Sequence, residues 1–225
     1  IVGSGPNGLA AAITLAQQGV KAHVFEASST PGGGMRSHEQ LRSGVIHDMC
    51  SAVHPFTSVS PFFTNVDLRR YGLRFALPEV DLAHPVDEDR IGVLYRDIDR
   101  TAAGLRRDGK IWKATFGPLA RNFNKIAQDL LGPVLNIPKH PLVTLSFGIN
   151  AVLPAQLSAY RWREPATRDL FGGIAAHAIT RLDTPMSSAV GMMLTAAAHA
   201  TGWPVAVGGS GAIADAMVAE LSSYG

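Results

Sequence analysis

Cysteine is almost absent. One residue, Cys50, in 225 excludes an internal disulfide framework and a thiolate metal cluster. Net charge is also lacking: 20 Lys and Arg against 18 Asp and Glu give +2. The basic residues are dispersed, apart from pairs such as Arg69-Arg70 and Arg106-Arg107. No nucleic-acid-binding patch is therefore expected. No catalytic triad, metal-ligand spacing or paired-carboxylate signature is visible, so no metal is expected. No signal-peptide pattern is found either. What is present is a chain 46% hydrophobic and 17% charged. That composition can bury a sizeable core, as one large domain or two small ones.

Two stretches carry no charge, 141–160 and 184–214. Both are long enough to raise the question of a membrane span. The first contains Asn150, Pro154 and Gln156; the second mixes Gly, Ser, Thr and His199 with alanines and contains Pro204. Buried core helices, or helices lining an apolar cavity, are the preferred reading.

The most informative feature lies at the start. Ile1-Val2 leads into Gly3-Ser4-Gly5-Pro6-Asn7-Gly8 and the apolar run Leu9-Ala10-Ala11-Ala12-Ile13. A second strand, read at 21–26, ends in Glu26. This order of strand, glycine turn, helix, strand and acid is what adenine dinucleotide binding requires. Gly3 permits the turn, Gly5 lets backbone approach a pyrophosphate, and Gly8 lets the helix pack closely. Pro6 suits the first helical turn, and Asn7 lies beside it at the positive helix end. Glu26 is placed to accept hydrogen bonds from ribose hydroxyls, and its charge opposes a 2′-phosphate.

The helix after the fingerprint is expected to reach about Gln18, with Leu9, Ile13 and Ala16 on one face and Gly19 ending it. Residues 27–37 read as a loop with the run Gly32-Gly33-Gly34-Met35-Arg36-Ser37. Residues 45–65 are rich in turn formers. Short strands are expected at 73–77, 80–86 and 91–95, in an antiparallel or mixed sheet. Asp97 reads as the N-cap of a helix through Arg107, and Asp108-Gly109 as a turn. Trp112, Phe116, Leu119, Phe123, Ile126, Leu130 and Leu131 keep helix spacing until Gly132-Pro133. Further helices are expected near 141–153, 164–178, 186–202 and 211–223.

The glycine run beyond Glu26 is not needed by an NAD site. It resembles the second signature of the FAD-binding flavoproteins that include amine oxidases and phytoene desaturases. Later segments resemble bacterial phytoene-desaturase-like oxidoreductases. These are His47-Asp48-Met49-Cys50-Ser51-Ala52-Val53-His54-Pro55, Ser60-Pro61-Phe62-Phe63, Leu82-Ala83-His84-Pro85, Leu131-Gly132-Pro133, Ala176-His177-Ala178, Gly202-Trp203-Pro204-Val205 and Gly208-Gly209 with 212–216. The resemblance implies an α/β fold of glutathione-reductase-type flavoprotein architecture, present incompletely. It would have a Rossmann-like FAD-binding βαβ start and a mixed-sheet, largely helical substrate region. The expected division is 1–72 for the start of the FAD domain, 73–203 for the substrate-type domain and 204–225 for a return segment. FAD is the implied cofactor, bound through Gly3, Gly5, Pro6, Asn7, Gly8, Glu26, Gly32, Gly33, Gly34, Arg36 and Ser37. The implied reaction is hydride transfer from a hydrophobic small molecule to flavin. In the common pattern the arginine directly follows two glycines; here Met35 intervenes, which leaves open which glycine pair is equivalent.

His54 is the candidate nearest the flavin, although a structural histidine is the preferred reading. Asp48 reads as a turn cap and Cys50 as a small buried filler. His177, His199 and the Met192-Met193 pair read as core. Two other classes stay open: an NAD-dependent dehydrogenase with the same fingerprint, and a non-catalytic nucleotide-binding or membrane-associated protein. Only two apolar residues precede Gly3, and 222–225 reads as a helix end with a C-cap glycine. The expectation is thus an N-terminal fragment of a longer, cytoplasmic enzyme, with peripheral membrane contact as an alternative and the oligomeric state unknown.

Overall fold

The computed structural model describes residues 1–87, 90–132 and 137–225. Two compact units emerge, one of Ile1–Leu77 with Pro204–Gly225 and one of Pro78–Trp203. In the first, Gly3 turns at φ +89° into α1 (Pro6–Gln17). Pro6 occupies the first turn, where a missing N–H costs nothing, and Gly19 follows the helix at φ +75°. Leu9, Ala12 and Ile13 are the buried stripe. The chain then returns parallel to its start. The Phe25 N–H donates to Ile1 O (2.9 Å) and the Gly3 N–H to Phe25 O (2.7 Å). The pairing amounts to one bridge, Val2 with Phe25, rather than the strand expected over 21–26. Two hydrogen bonds fix one pair of residues and leave both side chains exposed.

A 3-10 turn (Gly33–Met35) leads into an antiparallel hairpin of β1 (Ser37–Glu39) and β2 (Ile46–Asp48), with Ser37 opposite Asp48. The glycine loop was expected, the hairpin was not. Its three-residue strands are too short to show a period. A one-turn helix, α2 (Pro61–Asn65), follows Ser60, and β3 (Phe75–Ala76) closes this part. Residues 73–77, expected with the second region, belong to this unit because β3 pairs within it.

The second unit opens with the hairpin β4 (Leu82–Pro85) and β5 (Ile91–Leu94). Asp97 caps α3 (Ile98–Gly104) by accepting the amides of Asp99 and Arg100. That helix stops before Arg107. Asp108-Gly109 is not a turn: Gly109 opens α4 (Gly109–Arg121). The buried Asp108 carboxylate instead accepts the amides of Arg163 (2.9 Å) and Glu164 (2.8 Å). The helix expected from Trp112 onward breaks at Asn122, and α5 (Phe123–Leu130) continues. The Asn122 side-chain amide donates to Pro118 O (3.0 Å), a local alternative to the backbone ladder. Trp112, Phe116, Leu119, Phe123 and Ile126 are buried, whereas Leu130 and Leu131 are exposed. Pro133 of the expected stop lies outside the described residues.

Next come α6 (Pro141–Ala151), α7 (Ala155–Ala159), α8 (Pro165–Ala175) and α9 (Ser187–Thr201). α9 is the axis of the unit, packed by α4, α6 and α8. The core is aromatic, with Trp112 5.4 Å from Trp162 and Phe116 stacked on Trp162 at 6.2 Å between ring centroids. Met192 and Met193 are buried here as packing. The uncharged stretch at 184–214 thus supplies core, as expected. The one at 141–160 does not wholly do so, since Leu142, Leu145, Ile149 and Tyr160 are exposed. Among the described residues no helix is long and apolar enough to cross a membrane.

The last segment rejoins the first unit. β6 (Val205–Ala206) pairs antiparallel with β3, and α10 (Gly211–Ser222) packs on α1. Leu9, Ile13, Met35, Leu68, Leu73, Ile213 and Met217 form that core.

Candidate functional site

The two glycine segments of the sequence meet face to face. A Cβ on Gly33 would lie 2.8 Å from Gly5 Cα, a separation real structures do not show. Gly33 also sits at φ +54° and Gly32 at φ +115°. A Cβ on Gly32 would lie 3.1 Å from Ala214 Cβ, and the Gly32 amide donates to Ser4 O (2.9 Å). Gly34 has no such demand: its Cβ would make ordinary contact with Cys50 at 3.8 Å. Gly32-Gly33 is therefore the pair that geometry requires. Met35, the residue that breaks the common spacing, is buried in the core and pins the loop from below. Cys50 is exposed rather than the buried filler expected, because β2 ends at Asp48 and the chain leaves the hairpin there.

Above Gly5, the first turn of α1 has no side-chain cap. Pro6 has no N–H, and the amides of Asn7 and Gly8 are left for an external acceptor at the positive end of the helix. Asn7 is exposed there. Gly8 is required by the Gly3 carbonyl, which a Cβ would overlap.

Glu26 lies at the end of the returning segment. Ser4 donates to its Oε2 through the hydroxyl (2.5 Å) and the amide (3.0 Å). The Ser28 amide donates to Oε1 (2.9 Å), and Arg36 Nη2 lies 3.1 Å from the same oxygen. The Ser4 hydroxyl bond leads the interactions that hold this carboxyl at about 2, so it is anionic at neutral pH. These donors take all four lone-pair positions of the carboxylate. Arg36 Nε also donates to Thr30 O (2.9 Å). The Ser4 contribution was missed in the sequence; the signal was a hydroxyl between the first two fingerprint glycines.

The Ser37 hydroxyl donates to Asp48 Oδ1 (2.5 Å) and accepts the Gly211 amide (2.7 Å). Asp48 also accepts the Ser210 amide (2.7 Å), so these two side chains cap α10 from the hairpin. Gly209, at φ +92°, allows this approach, because a Cβ there would lie 2.9 Å from Ser37 Oγ. His54 belongs to the same cluster. Its Nε2 is 2.8 Å from Ser210 Oγ, and that hydroxyl donates to Ser51 O (2.5 Å). Ser210 has one proton to give, so His54 Nε2 carries the hydrogen and donates. Burial lowers the His54 pKa and nearby Asp48 opposes the shift. The imidazole is thus tied to the start of α10.

In the second unit His199 and His177 have hydrogen-bond partners. Trp112 Nε1 donates to His199 Nε2 (2.9 Å), and burial pushes His199 down to about 4. His177 Nδ1 lies 3.0 Å from Ile174 O.

Comparison with known proteins follows the same outline. Residues 1–65 match the family model described as an NAD(P)-binding Rossmann-like domain. An L-amino-acid oxidase of Daboia russelii is 50% identical over 44 residues, 20% of this chain and 9% of that protein. Two solved variants of putrescine oxidase, made in a redesign of its cofactor binding, cover 99% of this chain. Their TM-scores are 0.55 and 0.56 and their identities 17% and 18%. The chain spans about half the length of these structures, 48% of each. The class is thus an α/β nucleotide-binding fold with a Rossmann-like start. Within that class, the chain has the fold seen in half of putrescine oxidase.

Proposed function

We propose that the protein is an FAD-dependent oxidoreductase of the flavin oxidase and desaturase type. The observation that carries this reading is the contact of Gly33 with Gly5. A second glycine segment laid against the fingerprint extends the bare-backbone surface a pyrophosphate can approach, and an NAD site has no need of it. The residues fit the group. Gly5, Pro6, Asn7 and Gly8 would hold the diphosphate at a helix N-terminus, Gly32 and Gly33 would keep the backbone bare for it, and Glu26 would take the ribose with Arg36 available to the diphosphate. FAD supplies a hydride acceptor when bound. The chain's part in this reading is to bind and orient it, and the His54 bond to Ser210 supports a structural role for that histidine. The oxidase names of the similar proteins support this class.

The finer reading is a phytoene-desaturase-like enzyme with a hydrophobic substrate, whose substrate-type region is the second unit. The motifs quoted from 47–55 to 212–216 support it, as does the scarcity of charge at 141–160 and 184–214. The test is an absorption spectrum of the purified protein, with identification of any released cofactor. Flavin bands and released FAD are expected. A colourless protein that takes up NAD but not FAD would establish the dehydrogenase reading instead, which the description of the matched family model favours.

A further inference from the structure

Ser4 joins the three parts of the candidate site. It stands between Gly3 and Gly5 and is 4% exposed. Its carbonyl accepts the Gly32 amide of the second glycine segment (2.9 Å). Its amide and its hydroxyl both donate to Glu26 Oε2, at 3.0 and 2.5 Å. Alanine at this position would keep the two backbone bonds and lose the third. The hydroxyl is therefore the one contribution that depends on which residue stands at position 4.

That contribution falls where the backbone ladder ends. The parallel pairing stops at the bridge of Val2 with Phe25, where the Gly3 amide donates to Phe25 O (2.7 Å). Glu26 is the next residue. Its carboxylate is placed by the Ser4 pair, the Ser28 amide (2.9 Å) and Arg36 Nη2 (3.1 Å). A free glutamate side chain has rotamer freedom to lose when a ligand orders it. Here the two Ser4 bonds converge on Oε2 and order it beforehand, which leaves Oε1, on the side of Ser28 and Arg36, as the oxygen a ligand approaches. The side chain is 22% exposed, so it can be reached. A binding group ordered in advance gains affinity by cutting the entropy lost on binding.

We propose that the Ser4 hydroxyl is a positioning group, holding the Glu26 carboxylate ready for the ribose hydroxyls of an adenine nucleotide. The proposal rests on the cofactor reading above. The test compares ADP with 2′-deoxy-ADP, which differ in one ribose hydroxyl, by calorimetric titration of the flavin-free protein, with FAD titrated alongside. The proteins are the parent, Ser4→Ala, Ser4→Cys, Glu26→Gln and the Ser4→Ala/Glu26→Gln double variant, with thermal melting as the check on folding. The parent should prefer ADP by about tenfold, the effect of one hydrogen bond to a charged acceptor. Ser4→Ala should reduce that preference to about threefold or less. Ser4→Cys, which fills the same place with a weak donor, should do likewise. In the Glu26→Gln background Ser4→Ala should change it no further, because the hydroxyl acts through the carboxylate. A role in folding alone would weaken both nucleotides equally and leave their ratio as in the parent. An unchanged or larger preference for ADP in the Ser4 variants would overturn the proposal, as would a parent that binds FAD but does not distinguish the two nucleotides; in both cases FAD binding would leave the cofactor reading standing. A parent that binds neither FAD nor ADP would overturn both.

Discussion

The two units differ in what fills their tightest places. In the first, bare backbone meets backbone at Gly33 on Gly5 and at Gly8 on the Gly3 carbonyl, and Gly209 makes room for the Ser37 side chain. Small hydroxyls and carboxylates then lock the loops, as Ser4 does to Glu26 and Ser37 to Asp48. In the second, large rings fill the space: Trp112, Phe116, Trp162 and Phe171 are each fully buried. Close glycines occur in the second unit as well, at Gly92 and Gly109, so the feature that sets it apart is the ring cluster, which is sensitive to removal of atoms. The glycine loops of the first unit are sensitive to their addition.

The largest effect expected from removal is at the ring cluster. Trp112→Ala should cost about 3–5 kcal/mol, because it opens a ring-sized cavity and deletes the donor to His199. Chemical denaturation measures it. A cost below about 1 kcal/mol would mean that the cluster collapses around the gap and that the contrast between the units is overstated.

A smaller effect follows from pH. Burial holds His199 at about 4, below its ordinary 6.5, so the folded protein keeps it neutral where the unfolded chain begins to protonate. Its stabilising contribution is complete above the unfolded value. It is lost as pH falls from there towards the folded value, because the unfolded chain takes up a proton that the buried imidazole, accepting from Trp112 Nε1, does not. The expected loss is about 2 kcal/mol between about pH 7 and about pH 5, read by urea denaturation. In His199→Gln that slope should flatten. An unchanged slope would assign the pH dependence to other groups.

What the sequence made legible were features written locally. Pro6 after the fingerprint glycines marked the start of α1, and Asp97 marked that of α3. The uncharged run ended by Gly202 marked α9. The misses share one cause, contact between residues far apart in the chain. Asp108-Gly109 has the composition of a turn, but Asp108 caps a helix some 55 residues on. The hairpin at Ser37–Asp48 is recognisable only through Asp48 and Ser37 holding α10. α6 lacks charge and so resembles a buried helix, yet only Phe147 and Ala151 of it are buried. At the candidate site, every residue type was visible beforehand, while the facing of Gly33 and Gly5 and the occupation of Glu26 by Ser4 were not.

The most direct measurement is calorimetric titration with FAD of the parent protein, stripped of any bound flavin, and of Gly33→Ala and Gly34→Ala. A methyl at 33 meets Gly5 and strains a left-handed backbone, whereas one at 34 makes only an ordinary contact. The account predicts that Gly34→Ala binds FAD within about threefold of the parent, and that Gly33→Ala binds at least about tenfold more weakly. Equal affinities for all three proteins would contradict it, since the cradle would then not be where the cofactor lies.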